Sequence, residues 1–358
     1  MKKYAASLLE KLQNGRDARW TACVGFDGYV DSIARLMREV SGDDGTSFDT
    51  MRSAGEYFIE KAGKSCCIEL NRYSVRMGGN APLFSMALSG LNRNIHLIAC
   101  LGKPEINEVF APLEKKIRVT SVGEPGQCTA LEFSDGKIML SENTDTCMLD
   151  YSAVAGREDI ISSLACCDLL VLLNWSEMLK AQELWEGIYE HIILKTPDNA
   201  KQKVLIDLSD CSARSTQDIA RLRKTIRDIS TVREVLLSLN ENEADVLAER
   251  IGSARGNMES MARAIRKDTG VSAVSVHTNY ADCLSREHTY TEVKNIHVEH
   301  PVISTGGGDH LNAGLAYGWM QGYSDGEILT LANSLGGCYI QDGISPSRDR
   351  ICRYLEDI

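Results

Sequence analysis

Ser304-Thr305-Gly306-Gly307-Gly308-Asp309-His310 leads directly into an amphipathic segment from Leu311 to Gln321, and this junction decides the reading of the chain. Three consecutive glycines remove side-chain bulk and tolerate unusual dihedrals, so backbone N–H groups at the helix entrance can point together at an anion. Asp309 follows at once. Its carboxylate is placed to receive the proton of a hydroxyl that attacks a phosphoryl group held by those amides. The same residues also describe a tight loop with Asp309 as a helix cap. The pairing of an anion cradle with an adjacent base favours chemistry, because one well-aimed donor at such a site is worth about 3–4 kcal/mol in a transition state.

Upstream, the chain alternates apolar strand candidates with charged helical stretches. Leu169 to Leu173, Lys203 to Ile206, Val235 to Leu239 and Val271 to Val276 are the strands, interleaved with helical patterns around Lys180–Ile193, Thr216–Ile226, Glu243–Arg250 and Met258–Lys267. Such alternation indicates βα units and a mostly parallel sheet. A first strand at Thr21 to Gly25 is followed by Phe26-Asp27-Gly28-Tyr29-Val30-Asp31, two carboxylates beyond its carboxyl end, where open α/β sheets bind ligands. Gly78-Gly79-Asn80 opens another helix, Ala81 to Leu91. Ser41 to Thr50 reads as a loop, and Ile117–Val122 and Cys128–Leu140 read as antiparallel strands, the second broken by a turn at Ser134-Asp135-Gly136-Lys137. The fold expected is α/β, a doubly wound, mostly parallel sheet flanked by helices, with a small β lid. Residues 1–32, 78–116 and 143–358 form the core, and 33–77 and 117–142 the lid.

Composition narrows the function classes. The 358 residues, 43% hydrophobic and 6% aromatic, suffice for one large core with an attached element. A formal net charge of −11 without a Lys/Arg cluster argues against nucleic acid or an anionic membrane as partner. The N-terminal stretch is interrupted by Glu10, Lys11, Arg16 and Asp17, unlike a signal peptide or membrane span, which places the chain in the cytoplasm. Twelve cysteines scattered through apolar runs, with no C-x-x-C spacing, read as buried thiols.

Ser304 to Gly314 resembles the second signature of the ribokinase-like, or PfkB, carbohydrate kinases, with Gly306, Gly308, Asp309, Ala313 and Gly314 matching and Ile303, Ser304, Gly307 and Leu311 departing. Gly78-Gly79-Asn80 resembles the first signature, and Asn240-Glu241-Asn242-Glu243 the Asn-x-x-Glu motif. The three motifs occur in the right order across nearly the whole chain. The resemblance implies a ribokinase-like fold and transfer of the γ-phosphoryl group of ATP to a hydroxyl of a sugar or sugar-like small molecule. It implies Asp309 as general base, the amides of Gly306, Gly307 and Gly308 as anion hole, and Mg²⁺ organised by Glu243 through water, with Asn240 near the phosphates. Read without the family, Asn240 and Glu243 describe a solvated helix start.

On the acceptor side, Asp27, Asp31, Gly79, Asn80 and Asn174 are the candidate ligands of sugar hydroxyls. Asp31 is preferred slightly over Asp27, either of which also suits a helix cap. Asp207 and Asp210 follow a strand and line the crevice or cap locally; His310 adjoins the base. On the nucleotide side His277, Asn279 and Asn333 are candidates, although His277-Thr278-Asn279-Tyr280-Ala281-Asp282 stands where the family has a loop with two glycines, and Ile303 replaces a carboxylate. Those departures motivate a competing reading, a catalytically silent sugar-binding or regulatory protein on the same scaffold; a nucleoside kinase is a further alternative. Gly63-Lys64-Ser65 lacks the upstream glycine of a P-loop, and no Gly-x-Gly-x-x-Gly follows the first strand. The lid offers a sheet face through which two copies can form a homodimer.

Overall fold

Apolar runs with both faces to cover become central strands, and here they set the architecture. The computed structural model describes residues 1–39, 45–142, 145–253, 256–303 and 305–358. Ser304, the expected lid boundary at 143, and part of the Ser41–Thr50 loop lie outside them. In chain order the strands are β1 (Ala22–Phe26), β2 (Tyr29–Glu39), β3 (Thr46–Ser47), β4 (Leu70–Gly78), β5 (Ile95–Cys100), β6 (Arg118–Gly123), β7 (Gly126–Phe133) and β8 (Gly136–Glu142). They continue with β9 (Leu169–Leu172), β10 (Lys203–Asp207), β11 (Glu234–Asn240), β12 (Ala273–His277), β13 (Ala281–Arg286) and β14 (Tyr290–Lys294).

A nine-stranded sheet runs in the order β14-β13-β12-β11-β10-β9-β1-β5-β6. It is parallel from β6 to β12, and the β12-β13-β14 edge is antiparallel. Alternate residues point to opposite faces. Val171 and Leu205 therefore join one apolar layer with Phe84, Leu315 and Leu335, whereas Leu170, Leu172, Val204 and Ile206 join the other with Trp175 and Trp185. The expected doubly wound sheet is what forms.

The second sheet is the lid. β2 lies between β4, antiparallel to it, and β7, parallel to it; β8 pairs antiparallel with β7, and β3 with the far end of β2. Two expected boundaries shift. Arg118–Gly123 pairs parallel with β5 at the edge of the large sheet instead of joining the lid, and the lid begins at Tyr29 rather than 33. Periodicity marks a strand but carries no information about which sheet accepts it. A helix at Met51–Glu60, capped by Thr50 and Ser53, follows the expected loop; Gly63-Lys64-Ser65 lies outside any helix or strand. All twelve cysteines are free, and Cys66, Cys67 and Cys166 are exposed rather than buried. Among the described residues no helix is long and apolar enough to cross a membrane.

The Gly307–Met320 and Asp325–Asp342 helices pack closely at Gly314, where a Cβ would come 2.5 Å from Ala332 Cα and 2.9 Å from its nitrogen. Backbone cannot retreat as a side-chain tip can. Gly314→Ala should therefore cost ~1–3 kcal/mol by overpacking, seen as a lower urea midpoint at unchanged m-value.

Candidate active site

The site assembles at the carboxyl ends of the parallel strands, under the lid. Asp27, just past β1, lies at the N-terminus of the Asn80–Ser89 helix. Its Oδ2 accepts from the Asn80 amide at 2.7 Å and its Oδ1 from the Ala81 amide at 2.8 Å, and Asn174 Nδ2 donates to Oδ2 at 2.8 Å. The carboxylate thereby satisfies two orphan amides of the helix N-terminus, where the helix dipole favours negative charge. Gly79 makes this approach feasible: its φ is +90°, and a Cβ would sit 3.0 Å from Asp27 Oδ2. Asp27 is fully buried and is not among the residues lining the cleft; its carboxylate holds Asn80 and Asn174.

Those two residues, with Asp31, Gly79 and Asp309, line a cleft of about 190 Å³. Asp31 comes from lid strand β2, and Gly78 of the neighbouring strand leaves space for it, since a Cβ there would lie 2.4 Å from its carboxyl group. Burial pushes Asp31 up to about 6 against the lowering influence of Arg76 and Lys137, with Asp27 and Glu177 adding to the rise. Asn174 adopts a positive φ of 59°, and its Oδ1 accepts from the Glu177 amide at 3.2 Å. The sequence reading missed Tyr29, Leu83, Cys128, Met139, Ser141, Glu177 and Thr305, which complete the lining. Lys137 donates to Thr305 Oγ1, joining lid to core.

At the decisive turn, Gly306 takes φ +91° and the helix begins at Gly307. The turn packs tightly: a Cβ at Gly307 would meet Ile340 at 3.1 Å, and one at Gly308 would meet His277 Nε2 at 3.6 Å. The backbone donors of Gly307, Gly308 and Asp309 take no backbone acceptor among the described residues. His310 is buried. Its Nδ1 donates to the Gly306 carbonyl at 2.7 Å, so its Nε2 accepts from Ser345 Oγ at 2.7 Å, and the ring stacks on Tyr339. Burial holds it neutral, with a pKa lowered to about 4, so it braces the turn without adding charge.

Asp309 is 8% exposed. Burial raises its pKa well above the carboxylate range, followed by the charges of Asp207, Asp27, Asp31 and Glu243. Asp207, raised to about 6 by burial, accepts from Asn312 Nδ2 at 2.8 Å and from the Ser209 amide at 3.1 Å. Asp210 is turned into its own loop, accepting from Ser212 and Asn242. Glu243 is not on a solvated helix start: it is buried and reciprocally bonded with Asn240 in a capping box, and burial and Asp207 raise it.

Crowded carboxylates whose charges raise one another fit a divalent ion brought with a nucleotide. Asp207 and Glu243 are the residues that can hold its water shell; among the described residues no group of three or more His, Cys, Asp or Glu forms a direct ligand set. His277 abuts the glycine turn, with burial lowering it to about 4. Asn333 sits on the adjoining Asp325–Asp342 helix, its Nδ2 on the Leu329 carbonyl at 3.0 Å. Asn279 is exposed in a hairpin tip tied by Thr278 Oγ1.

The family model of prokaryotic ketohexokinases matches residues 4–358. A ketohexokinase of Haloferax volcanii is 26% identical over 351 residues, covering 96% of this chain and 92% of its own. Ribokinase from Giardia lamblia superposes with a TM-score of 0.66 at 13% identity, covering 95% of this chain and 99% of that one. A ribokinase II structure from E. coli in complex with ATP and Mg²⁺ gives 0.65 at 14% identity, with 95% and 100% covered. These structures share the ribokinase-like α/β fold with its lid. With the glycine turn, its carboxylate and the lid in place along a match of nearly full length, the chain belongs to the prokaryotic ketohexokinase family, within the ribokinase-like (PfkB) class of sugar and nucleoside kinases.

Proposed function

We propose that the protein transfers the γ-phosphoryl group of ATP to a hydroxyl of a ketohexose. The observation that carries this is Asp309, set beneath a small polar cleft and directly after glycines whose amides take no backbone acceptor among the described residues. Asp31, Asn80 and Asn174 orient the sugar hydroxyls; Asp309 takes the proton from the attacking oxygen; the amides of Gly306, Gly307 and Gly308 stabilise negative charge on the moving phosphoryl group. His277 and Asn333 flank the nucleotide side. Mg²⁺, held through water at Glu243 and Asp207, supplies positive charge to the phosphates when bound. The ketose assignment rests on the family and on the Haloferax ketohexokinase.

A panel of ketohexoses, aldohexoses and nucleosides with Mg-ATP tests the reading. Phosphorylated ketohexose should accumulate fastest. Nucleotide-independent sugar binding without any product would favour the silent scaffold instead. Asp31→Ala should raise the acceptor KM about 10- to 100-fold with a smaller change in kcat, the range expected for a lost hydrogen bond to a charged group. The reading includes a cytoplasmic homodimer joined through the lid, its sheet face supported by the exposed Tyr73, Val75 and Leu140 on β4 and β8. Sedimentation equilibrium of a Val75→Asp, Leu140→Asp variant should shift from dimer to monomer.

A further inference from the structure

We propose a second ligand site, for a phosphate monoester, at the opposite end of the same strands. A cleft of about 500 Å³ opens at the amino ends of β1, β5 and β6 and beside the start of β9, lined by Thr21, Arg93, Asn94, Arg118, Ser162 and Ser163. It is larger than the acceptor cleft at about 190 Å³, and no residue of the catalytic apparatus borders it.

The polar part of its walls is cationic and hydroxylic. Arg93 is exposed and makes no hydrogen bond or ion pair among the described residues. Arg118, also exposed, makes a 3.5 Å contact to Ser163 Oγ. Two guanidinium groups with open donors suit the oxygens of a phosphate, which Arg can bind in a bidentate fashion. The floor is hydrogen-bonded: His96 is buried, with Nδ1 on Ser163 Oγ and Nε2 on Thr120 Oγ1, each at 2.8 Å, and burial and then Arg118 lower its pKa to about 4, so that it is neutral at neutral pH.

Neighbouring carboxylates are already engaged. Asp168 Oδ2 accepts from the amide and hydroxyl of Thr21 at 2.7 and 2.9 Å, and Asp159 pairs with Arg157 at 3.5 Å. In a chain of net charge −11, an anion needs a locally built cationic recess, and this cleft is one. Its volume leaves room beyond the phosphate for the esterified group, and Ile95 and Cys167 offer that group an apolar wall. β1 runs from Ala22, on the cleft, to Phe26 beside Asp27, so an occupant sits one strand's length from the residue that positions Asn80 and Asn174.

The test uses the full chain with its catalytic site filled by acceptor and a non-hydrolysable Mg-ATP analogue. Glycerol 3-phosphate should raise the melting temperature at lower concentration than inorganic phosphate does, and selenate soaked into crystals should scatter anomalously between Arg93 and Arg118. The half-saturating concentration should rise at least about tenfold in Arg93→Gln and further in Arg93→Gln, Arg118→Gln, and stay unchanged in Asp309→Asn. Undiminished stabilisation of the arginine variants, selenate found elsewhere alone, or inorganic phosphate binding as tightly as the ester would each overturn the proposal. Both arginines are exposed, and an unliganded melting temperature equal to the parent's verifies that the variants fold.

Discussion

Asp309→Asn should lower kcat by roughly 10²- to 10⁴-fold, the span associated with a general base, while leaving the acceptor KM nearly unchanged and making the fold more stable. An amide fills the same space and can still bond a hydroxyl, but it cannot take the proton. The stability gain follows from crowding: burial is the largest cause of the raised Asp309 pKa, and Asp207, Asp27, Asp31 and Glu243 add like charge. The sign with pH is fixed by linkage. Above the unfolded pKa near ~3.9 and below the raised folded value, the native chain holds a proton that the unfolded chain has released. Stability therefore falls as pH rises through that window.

The variant lacks this loss, so its melting-temperature advantage should widen from pH ~4 upward and level off above the folded pKa. Parent kcat/KM should climb with pH across a limb above the usual carboxylate range, with Asp31 contributing near 6. Scanning calorimetry and initial rates across the range measure both. Parent-like turnover in Asp309→Asn would remove the proposed base, and a stability difference independent of pH would remove the electrostatic account.

Asp27→Ala is expected to have the largest structural effect. Truncation leaves the Asn80 and Ala81 amides and Asn174 Nδ2 without their acceptor in a fully buried position. A lost helix cap costs about 0.5–2 kcal/mol, and each buried donor left unsatisfied adds about 1–3 kcal/mol where water cannot reach it. Partial relaxation makes ~2–4 kcal/mol a reasonable total. Because Asn80 and Asn174 line the cleft, the acceptor KM should rise as well. Asp27→Asn tests the geometry more finely: its Oδ1 can keep one helix amide, but its own NH₂ then faces donors. Urea titration and acceptor KM should therefore worsen together in both variants. Parent stability combined with lost acceptor binding would instead make Asp27 a direct ligand.

The contrast between these two aspartates shows how far the chain could be read. The turn that carries Asp309 was legible because it is local: three glycines, a carboxylate and a helix start are contiguous. The role of Asp27 was not, because its partners lie at Asn80 and Asn174, and only the converging ends of β1 and β9 bring them together. Glu243 illustrates an intermediate case. The Asn240–Glu243 spacing announces a capping box, but its burial beside Asp207 depends on the packing of neighbouring strands. Tyr29, Cys128, Met139 and Ser141 left no sequence signal beyond strand-like surroundings. They enter the cleft because the β2–β7–β8 pairing carries them over it.

By itself the amino-acid sequence determined the alternating βα layers and the glycine turn that opens a helix with a carboxylate beside it, since backbone conformation and hydrophobic period are set over a few neighbouring residues. Tertiary structure alone decided that Arg118–Gly123 joins the large sheet, that Asp31 faces the cleft while Asp27 lies beneath it, and that five carboxylates crowd one end of the strands. Those outcomes depend on distances between segments far apart in the chain, and a carboxylate's energy is set by the charges and solvent that folding places around it.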